Sequence, residues 1–201
     1  MVFTVVDIET TGLSKNEHQI TEIAGIKSDG RRVLDEFHTL VNPQVRISPF
    51  ITRLTGIDNE LVKEAPMIRD VIGEFTDFLG DSVFVAHNAT FDYGFLSRNA
   101  EINGIELANR RLCTRKLAVR LLPMLRYKRL DALCDHFHII NEREHRAMGD
   151  AHATLCIFNN FRKMMLRMGL EELDDVIRFE RMSKRAIIDK YGAPWITGNS
   201  V

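Results

Sequence analysis

The stretch Val2-Phe-Thr-Val-Val-Asp-Ile-Glu-Thr-Thr-Gly12 decides the fold of this chain. Residues 2–8 are almost continuously apolar and β-branched, a composition typical of a strand that is buried on both faces. Such a strand lies at the centre of a sheet, so other segments of the chain must cover both sides of it. We expect Gly12 to end the strand.

The pattern of apolar residues predicts further elements on the C-terminal side of this strand. Strands over 19–27 and 33–41, joined by the turn Ser28-Asp-Gly30, predict a hairpin. A connecting loop is expected where Pro43 and Pro49 interrupt the pattern. The other predicted elements are a helix over 67–79, a strand over 83–86, a helix from a cap at Thr90 to about 103, a strand over 111–114, helical stretches near 115–122 and 129–137, and a long helix over 147–168.

Length and composition limit the domain organisation. The 201 residues, 45% hydrophobic and 27% charged, fit one folded domain with a tail and exclude an intrinsically disordered chain. We assign residues 1–168 to the domain and 169–201 to a C-terminal extension, an extra helix followed by a loosely held tail. The three cysteines form no C-x-x-C pair, and no targeting or membrane-spanning segment is evident, so a cytoplasmic location without membrane contact is expected.

Charge is distributed unevenly along the chain although the net charge is only −1. Residues 1–100 carry 9 basic and 15 acidic side chains, or −6, whereas residues 101–201 carry 18 and 13, or +5. The run 110–129 contains eight of the basic residues and no acidic one. A basic segment in an otherwise balanced protein indicates a surface for a polyanion.

Asp7 and Glu9 are the first candidates for chemistry. They lie two residues apart at the end of the predicted central strand, and the period-two geometry of a strand points both side chains to one face. Two carboxylates at the end of an otherwise apolar strand repel each other unless a cation lies between them. A hard divalent metal ion is the usual solution.

Asp92, Asp150 and His145 complete the candidate set. Asp92 follows the strand over 83–86, just inside the next helix, and Asp150 lies in the first turn of the longest helix. His145 precedes Asp150 by five residues, with Gly149 between them permitting an unusual local backbone. A neutral imidazole beside bound metal can take a proton from water near neutral pH.

Four carboxylates and one imidazole, with no thiolate, favour Mg²⁺ or Mn²⁺. The reaction that such a set serves best is in-line phosphoryl displacement, in which two ions about 3.5–4 Å apart activate water and stabilise the leaving oxygen. A phosphodiester is therefore the expected substrate, and the basic run 110–129 supplies countercharge for its phosphates.

Three motifs resemble those of the DEDD exonuclease family, in its histidine subgroup, which includes proofreading subunits and exonuclease domains of bacterial DNA polymerases. They are Asp7-Ile-Glu-Thr-Thr-Gly12, His87-Asn-Ala-Thr-Phe-Asp92, and His145 with Asp150, in family order over about residues 1–168. The resemblance implies an α/β domain of ribonuclease H-like fold: a mixed five-stranded sheet, three antiparallel strands first and parallel strands after, flanked by helices.

The resemblance also implies an activity and the residues that carry it. The activity is metal-dependent 3′→5′ removal of nucleoside 5′-monophosphates from single-stranded DNA ends, in proofreading or repair. Asp7, Glu9, Asp92 and Asp150 would hold two metal ions, and His145 would be the general base. The segment Leu54-Thr-Gly-Ile57 resembles the family's loop over the terminal nucleotide, and the residues matching its nucleotide pocket are Thr10, Thr11, Leu13, Thr55, His87, Asn88 and Phe91.

Two alternatives stay open at this point. The same motifs occur in RNA 3′ exonucleases, such as oligoribonucleases and tRNA-trimming enzymes, so the motifs do not distinguish DNA from RNA. A nucleic-acid-binding polymerase subunit without turnover is the other alternative, although no metal-site residue is missing. The expected partners are single-stranded 3′ ends and, if the protein proofreads, a DNA polymerase. The sequence does not report an oligomeric state.

Overall fold

One mixed sheet of five strands, in the order β3-β2-β1-β4-β5, organises the molecule. The computed structural model describes residues 1–192. Its elements are β1 Phe3–Thr10, β2 Ile20–Ser28, β3 Val33–Leu40, α1 Pro49–Thr55, α2 Ile68–Leu79, β4 Val83–Ala86, α3 Ala89–Ile102, β5 Arg111–Cys113, α4 Thr114–Leu121, α5 Leu130–Phe137, α6 Ala147–Arg167, α7 Leu173–Arg181 and α8 Lys184–Tyr191. The α/β class and the mixed sheet agree with the prediction.

β1 lies at the centre of the sheet, as its apolar sequence predicts. It pairs antiparallel with β2 and parallel with β4, and β5 continues the sheet in parallel beyond β4. Because β1, β4 and β5 run in the same direction, their carboxyl ends meet at one edge, where helices α3 and α4 begin. In open sheets with parallel strands this edge is where ligands bind.

Side chains alternate between the two faces of β1. Phe3 and Val5 belong to a buried cluster with residues of α4 to α8, whereas Val6 and Ile8 belong to a second cluster with α2 and α3. Helix α6 covers the first face, with Phe158 stacking edge-on against Phe3 at 5.1 Å between ring centroids. Odd-numbered residues of β1 therefore face α6, the helix that carries Asp150.

Helix α1 was not expected, because Pro43 and Pro49 predicted only a loop. The Oγ of Ser48 accepts a hydrogen bond from the Ile51 N–H, and Pro49 occupies the first turn, where its missing N–H costs nothing. Gly56, in the left-handed conformation, ends the helix. The Ser-Pro pair is a helix start signal that the loop prediction overlooked.

The start of α3 also differs from the prediction. The capping residue is Asn88 rather than Thr90, and it has a left-handed backbone with φ 78° and makes no side-chain capping bond. Asn is one of the few residues that tolerate this conformation. The strained turn lies directly between His87 and the helix that carries Asp92.

The C-terminal extension contains two helices, α7 and α8, where a single helix was expected. Phe179 and Ile187 are buried in the same cluster as Phe3. The buried carboxylate of Glu180 accepts a hydrogen bond from the backbone N–H of Cys113 at 2.6 Å, so α7 covers the edge strand β5. The predicted tail, residues 193–201, lies outside the described residues.

Candidate metal centre and active site

Asp7, Glu9 and Asp150 come together at the carboxyl end of β1. One carboxylate oxygen from each residue lies within 4.8 Å of the others, although the residues come from a strand and a helix far apart in sequence. Asp7 and Glu9 are half-buried on the odd face of β1, and Asp150, in the first turn of α6, is only 9% exposed. The period-two prediction that Asp7 and Glu9 share one face agrees with this arrangement.

Asp92 lies on the other side of β1 from α6, in the first turn of α3. Its carboxyl is buried against the backbone of Ile8, which lies between Asp7 and Glu9, and its charge acts on both of those residues. A helix N-terminus favours an anion at this position. All four predicted carboxylates thus converge on the same end of β1.

Electrostatic repulsion among these groups is severe without a cation. Burial, followed by the charges of Asp92, Asp150 and Glu9, holds the pKa of Asp7 well above its usual value. Burial and then Asp150 raise the pKa of Glu9 to about 8, and burial raises the pKa of Asp92 to about 7. Burial also raises the pKa of Asp150. Strongly raised carboxyl pKa values clustered in one cleft are typical of a functional site.

Asp150 is held by the segment that precedes α6. The Asn141 side-chain amide donates to Oδ1 at 2.6 Å, and the backbone N–H of His145 donates to Oδ2 at 3.2 Å. The unusual backbone expected at Gly149 is found instead at His145, which is exposed and has φ 59°. Gly149 serves close packing, because a Cβ there would lie 2.4 Å from the Arg143 carbonyl oxygen.

An ion pair that the sequence did not predict, between a buried carboxylate and a partly exposed guanidinium, anchors the same segment. The Glu22 side chain in β2 is fully buried and accepts from the Arg146 guanidinium at 2.7–3.2 Å, from the Ala147 N–H at 2.9 Å and from His38 at 2.7 Å. Burial raises the pKa of Glu22, but the bonds from Arg146, His38 and Ala147 outweigh it and lower the pKa. The signal in the sequence was Glu22 itself, a charged residue within the mainly apolar strand β2, where it requires a partner.

His87 is the first residue after the neighbouring strand β4. It lies two positions beyond Val85, and Asp7 lies two positions beyond Val5, which pairs with Val85 in the parallel β1–β4 register. The His87 Nδ1 is 2.9 Å from the Thr114 Oγ1, whereas the buried Nε2 has no hydrogen-bond partner among the described residues. Burial lowers the pKa of His87 to about 4, so the ring is neutral at physiological pH.

The other residues predicted to contact the nucleotide differ in their exposure and in whether their side chains already form hydrogen bonds within the protein. The hydroxyl of Thr10 donates to the Gly12 carbonyl, Thr11 accepts from the Gln19 N–H, and Thr55 donates to the Ile51 carbonyl, so all three hydroxyls already hold local structure. Leu13 is 86% exposed beside Gly12. Asn88 is exposed. The Phe91 ring packs against the Phe95 ring, with 5.0 Å between the ring centroids.

The donor set fits hard divalent ions. It offers only carboxylate oxygens, three of them mutually within 4.8 Å, and their mutual repulsion is what bound cations would relieve. No thiolate lies in this cluster, which argues against a structural zinc site.

The family of the chain follows from a match that spans most of its length. A family model described as RNase_T, Exonuclease, matches residues 4–158, which contain all four carboxylates and His145. The chain belongs to the RNase_T exonuclease family. The exonuclease predicted from the three motifs is thereby confirmed, and the match ends near the middle of α6.

Relatives within this family are bacterial DNA polymerases. The chain is 40% identical over 174 residues to DNA polymerase III PolC-type of Caldanaerobacter subterraneus, and 36% identical over 176 residues to DNA polymerase III PolC-type of Bacillus subtilis. Each alignment covers 87% of this chain but only 12% of the relative. The chain thus corresponds to a small part of these polymerases.

Solved structures confirm the fold. The chain resembles Exonuclease X in complex with 5′ overhanging duplex DNA, with a TM-score of 0.68, 27% identity, and coverage of 89% of this chain and 99% of that one. It also resembles E. coli Exonuclease I in complex with a dT13 oligonucleotide, with a TM-score of 0.74, 17% identity, and coverage of 84% and 42%. The expected ribonuclease H-like fold is therefore confirmed.

Helices able to cross a membrane were not expected from the sequence. Across residues 1–192, none of the helices combines the length and the apolar character that crossing a bilayer requires.

Proposed function

We propose that this exonuclease is a metal-dependent 3′→5′ enzyme that removes nucleoside 5′-monophosphates from the 3′ ends of single-stranded DNA. The observation that carries the proposal is the convergence of Asp7, Glu9 and Asp150, whose carboxylate oxygens lie within 4.8 Å of one another. Membership of an exonuclease family and the likeness to Exonuclease X support it.

The carboxylates of Asp7, Glu9, Asp92 and Asp150 would hold two Mg²⁺ or Mn²⁺ ions. Bound there, such ions polarise a phosphodiester and favour attack by water. The chain itself supplies these carboxylates from the end of β1 and from the first turns of α3 and α6. The Asn141 and His145 hydrogen bonds to Asp150 fix the orientation of the one carboxylate that α6 contributes.

His145 is the proposed general base. It is exposed at the mouth of the carboxylate cleft and its backbone is tied to Asp150, so the side chain is accessible to water. Its left-handed backbone is a strained conformation, of the kind that clusters at functional sites. An imidazole can accept the proton of an attacking water near neutral pH.

The proposed nucleotide pocket surrounds the carboxyl end of β1. Its residues lie near the strand ends, at the start of α3 and at the end of α1; they are His87, Thr10, Thr11, Leu13, Asn88, Phe91 and Thr55. The exposed Leu13 offers an apolar surface for the terminal base. The neutral His87 contributes no charge, so it can lie against a base without repelling the bound metal.

A labelled single-stranded oligonucleotide tests the proposal. With a 5′ label and Mg²⁺ or Mn²⁺, the protein should produce a ladder that shortens from the 3′ end, and Asp7→Asn should produce none. An uncut strand, or release of the label as the first product, would contradict the proposal. A matched RNA strand tests the RNA alternative, because a 2′-OH at the terminal sugar is what separates the two substrates.

We propose a proofreading or repair role beside a DNA polymerase, and the likeness to polymerases named PolC-type supports it. Proofreading requires faster removal of an unpaired terminal nucleotide than of a paired one. Excision rates on primer–templates with a matched or mismatched 3′ end should therefore differ in favour of the mismatch. Equal rates would contradict this role while leaving the exonuclease activity intact.

A further inference from the structure

An exposed aromatic residue lies among cations in the loop between α4 and α5, residues 122–129. The Tyr127 ring is 49% exposed, with the Arg126 guanidinium 5.0 Å and the Arg129 guanidinium 5.4 Å from its centroid. Met124, in the same loop, is 80% exposed. The exposed part of the ring and the guanidinium planes beside it are flat surfaces, and a nucleic-acid base can stack on either kind.

This loop adjoins the carboxylate cleft. His87 directly follows β4, the strand beside β1, and Thr114 directly follows β5, the next strand, in hydrogen-bond contact with the His87 ring. The backbone of Lys128 also lies against the His87 ring, where it raises the pKa that burial lowers. Neighbouring strands are about 4.8 Å apart, so the loop lies roughly 10–15 Å from Asp7 along the sheet edge.

The charge around the loop is mainly positive. Arg115 and Lys116 are exposed on the adjoining helix α4, and no acidic residue occurs between 110 and 129. Arg129 is hydrogen-bonded to Asp131 at 3.0 Å, which fixes its guanidinium next to Tyr127. The cations of α4 and of the loop therefore form a positively charged surface that extends away from the negatively charged carboxylate cleft.

We propose that Tyr127, with Arg126 and Arg129 beside it, is a stacking platform for a base of the single strand a few nucleotides upstream of its 3′ end. The roughly 10–15 Å to the cleft is longer than one nucleotide step, so the terminal dinucleotide does not reach the platform. Stacking between a base and an aromatic ring does not depend on sequence, and cations beside it neutralise the phosphates. The platform rests on the proposed function, because it assumes that the strand end lies at Asp7.

An acidic protein segment is the other polyanion that could bind here. The observations favour a nucleic acid, because the exposed groups are planar and the positively charged surface leads to His87 and the carboxylate cleft rather than to a closed surface. A peptide that binds by strand addition needs a free sheet edge, and the described strand closest to the loop, β5, is covered by α7 through Glu180.

Fluorescence anisotropy with 5′-labelled dT2 and dT8 tests the platform. Each variant is made in the inactive Asp7→Asn background and measured with Mg²⁺, so that metal can neutralise the cleft while no strand is cut. Tyr127→Ala should weaken binding of dT8 about tenfold and leave dT2 unchanged, whereas Tyr127→Phe, which keeps the ring, should bind dT8 normally. The matched charge control is Arg126→Ala against Arg32→Ala, since Arg32 lies in the β2–β3 turn at the opposite end of the sheet. Only Arg126→Ala should weaken dT8.

Two outcomes would overturn the platform: unchanged dT8 binding in Tyr127→Ala, or equal weakening of dT2 and dT8. With Asp7 restored and Mn²⁺ present, the Tyr127→Ala variant should hydrolyse a dinucleotide at the wild-type rate, which shows that the cleft is intact. If the wild-type protein cut no nucleic acid, the proposed function would fail, while the length-dependent anisotropy would still decide the platform.

Discussion

Asp7 shows at the scale of one residue why the cleft requires a cation. The charges of Asp92, Asp150 and Glu9 act on its carboxyl, and burial together with these charges holds its pKa well above the usual value. Repulsion of this kind opposes folding, because burying like charges costs free energy that the unfolded chain does not bear. The two-residue spacing of Asp7 and Glu9 in an apolar strand predicted that both carboxylates lie on one face and bind metal. The extent of their burial could not be predicted, because it depends on how α3 and α6 pack against the strand.

Asp7→Asn should therefore abolish nuclease activity and yet stabilise the metal-free protein. Removing one of four repelling groups should raise the Tm in EDTA by about 2–4 °C, equivalent to roughly 1 kcal/mol for a chain of this size. Thermal denaturation with and without Mn²⁺ measures this, and the Mn²⁺ shift of the wild type should shrink in the variant. Asp77→Asn, at an exposed position in α2, is the matched control and should change neither value.

The stability of the metal-free protein should fall as the pH rises from about 7 to 8.5. In this range the unfolded chain has already lost its carboxyl protons, whereas folded Asp92 and Glu9, with pKa values of about 7 and about 8, still retain part of theirs. The unfolded state then binds fewer protons, so the free energy of unfolding decreases with pH. His87, whose pKa is lowered by burial, acts in the opposite sense mainly below this range, where the unfolded imidazole binds a proton.

Melting curves in EDTA at about pH 7 and 8.5 measure this slope. The Tm of the wild type should fall by about 4 °C or more, and an Asp7→Asn, Glu9→Gln double variant should show a flatter profile. Saturating Mn²⁺ should remove or reverse the slope, since metal binds the ionised carboxylates. A Tm that rises with pH in EDTA would show that the carboxyl groups are not crowded.

Helix α6 shows at the scale of elements how a distant strand positions the site. Its first turn is fixed to β2 because Glu22 accepts from both the Arg146 side chain and the Ala147 N–H, directly beside His145 and close to Asp150. Periodicity predicted the bounds of α6 to within one residue. It could not predict this ion pair, which joins residues 124 positions apart and leaves no repeat in the sequence.

Arg146→Ala should destabilise the protein by about 3–5 kcal/mol, because it leaves the buried Glu22 carboxylate without its main partner. Urea unfolding near neutral pH measures the loss, and adding Glu22→Gln to the variant should restore at least half of it. Activity per folded molecule should stay low in both, since the start of α6 is no longer held. A loss below about 1 kcal/mol for Arg146→Ala would show that this ion pair contributes no more to stability than an exposed surface salt bridge does.

The C-terminal helices should contribute to stability rather than form an independent appendage. Phe179 in α7 is fully buried against the cluster that contains Phe3, so Phe179→Ala should cost about 3–5 kcal/mol. Phe50→Ala is the matched control, because Phe50 is 64% exposed and the change should cost about 0.5 kcal/mol or less. Equal unfolding free energies for the two variants would contradict this docking of α7.

The whole molecule separates charge along one sheet edge. The negative cleft is built mainly from the acidic N-terminal half, and the positive loop 122–129 belongs to the basic C-terminal half. Charge counting predicted a basic segment near an acidic one, and the three motifs predicted the fold and the converging carboxylates. The packing of the helices over 173–191 against the sheet could not be predicted, because it depends on single contacts such as the hydrogen bond from the Cys113 N–H to Glu180.

Anomalous diffraction from crystals soaked in Mn²⁺ tests the metal-binding cleft most directly. We predict Mn²⁺ peaks in contact with Asp7, Glu9 and Asp150 in the wild type, and loss of at least one peak in Asp7→Asn crystals grown the same way. A wild-type map with no Mn²⁺ peak at this cleft would contradict the metal-dependent mechanism.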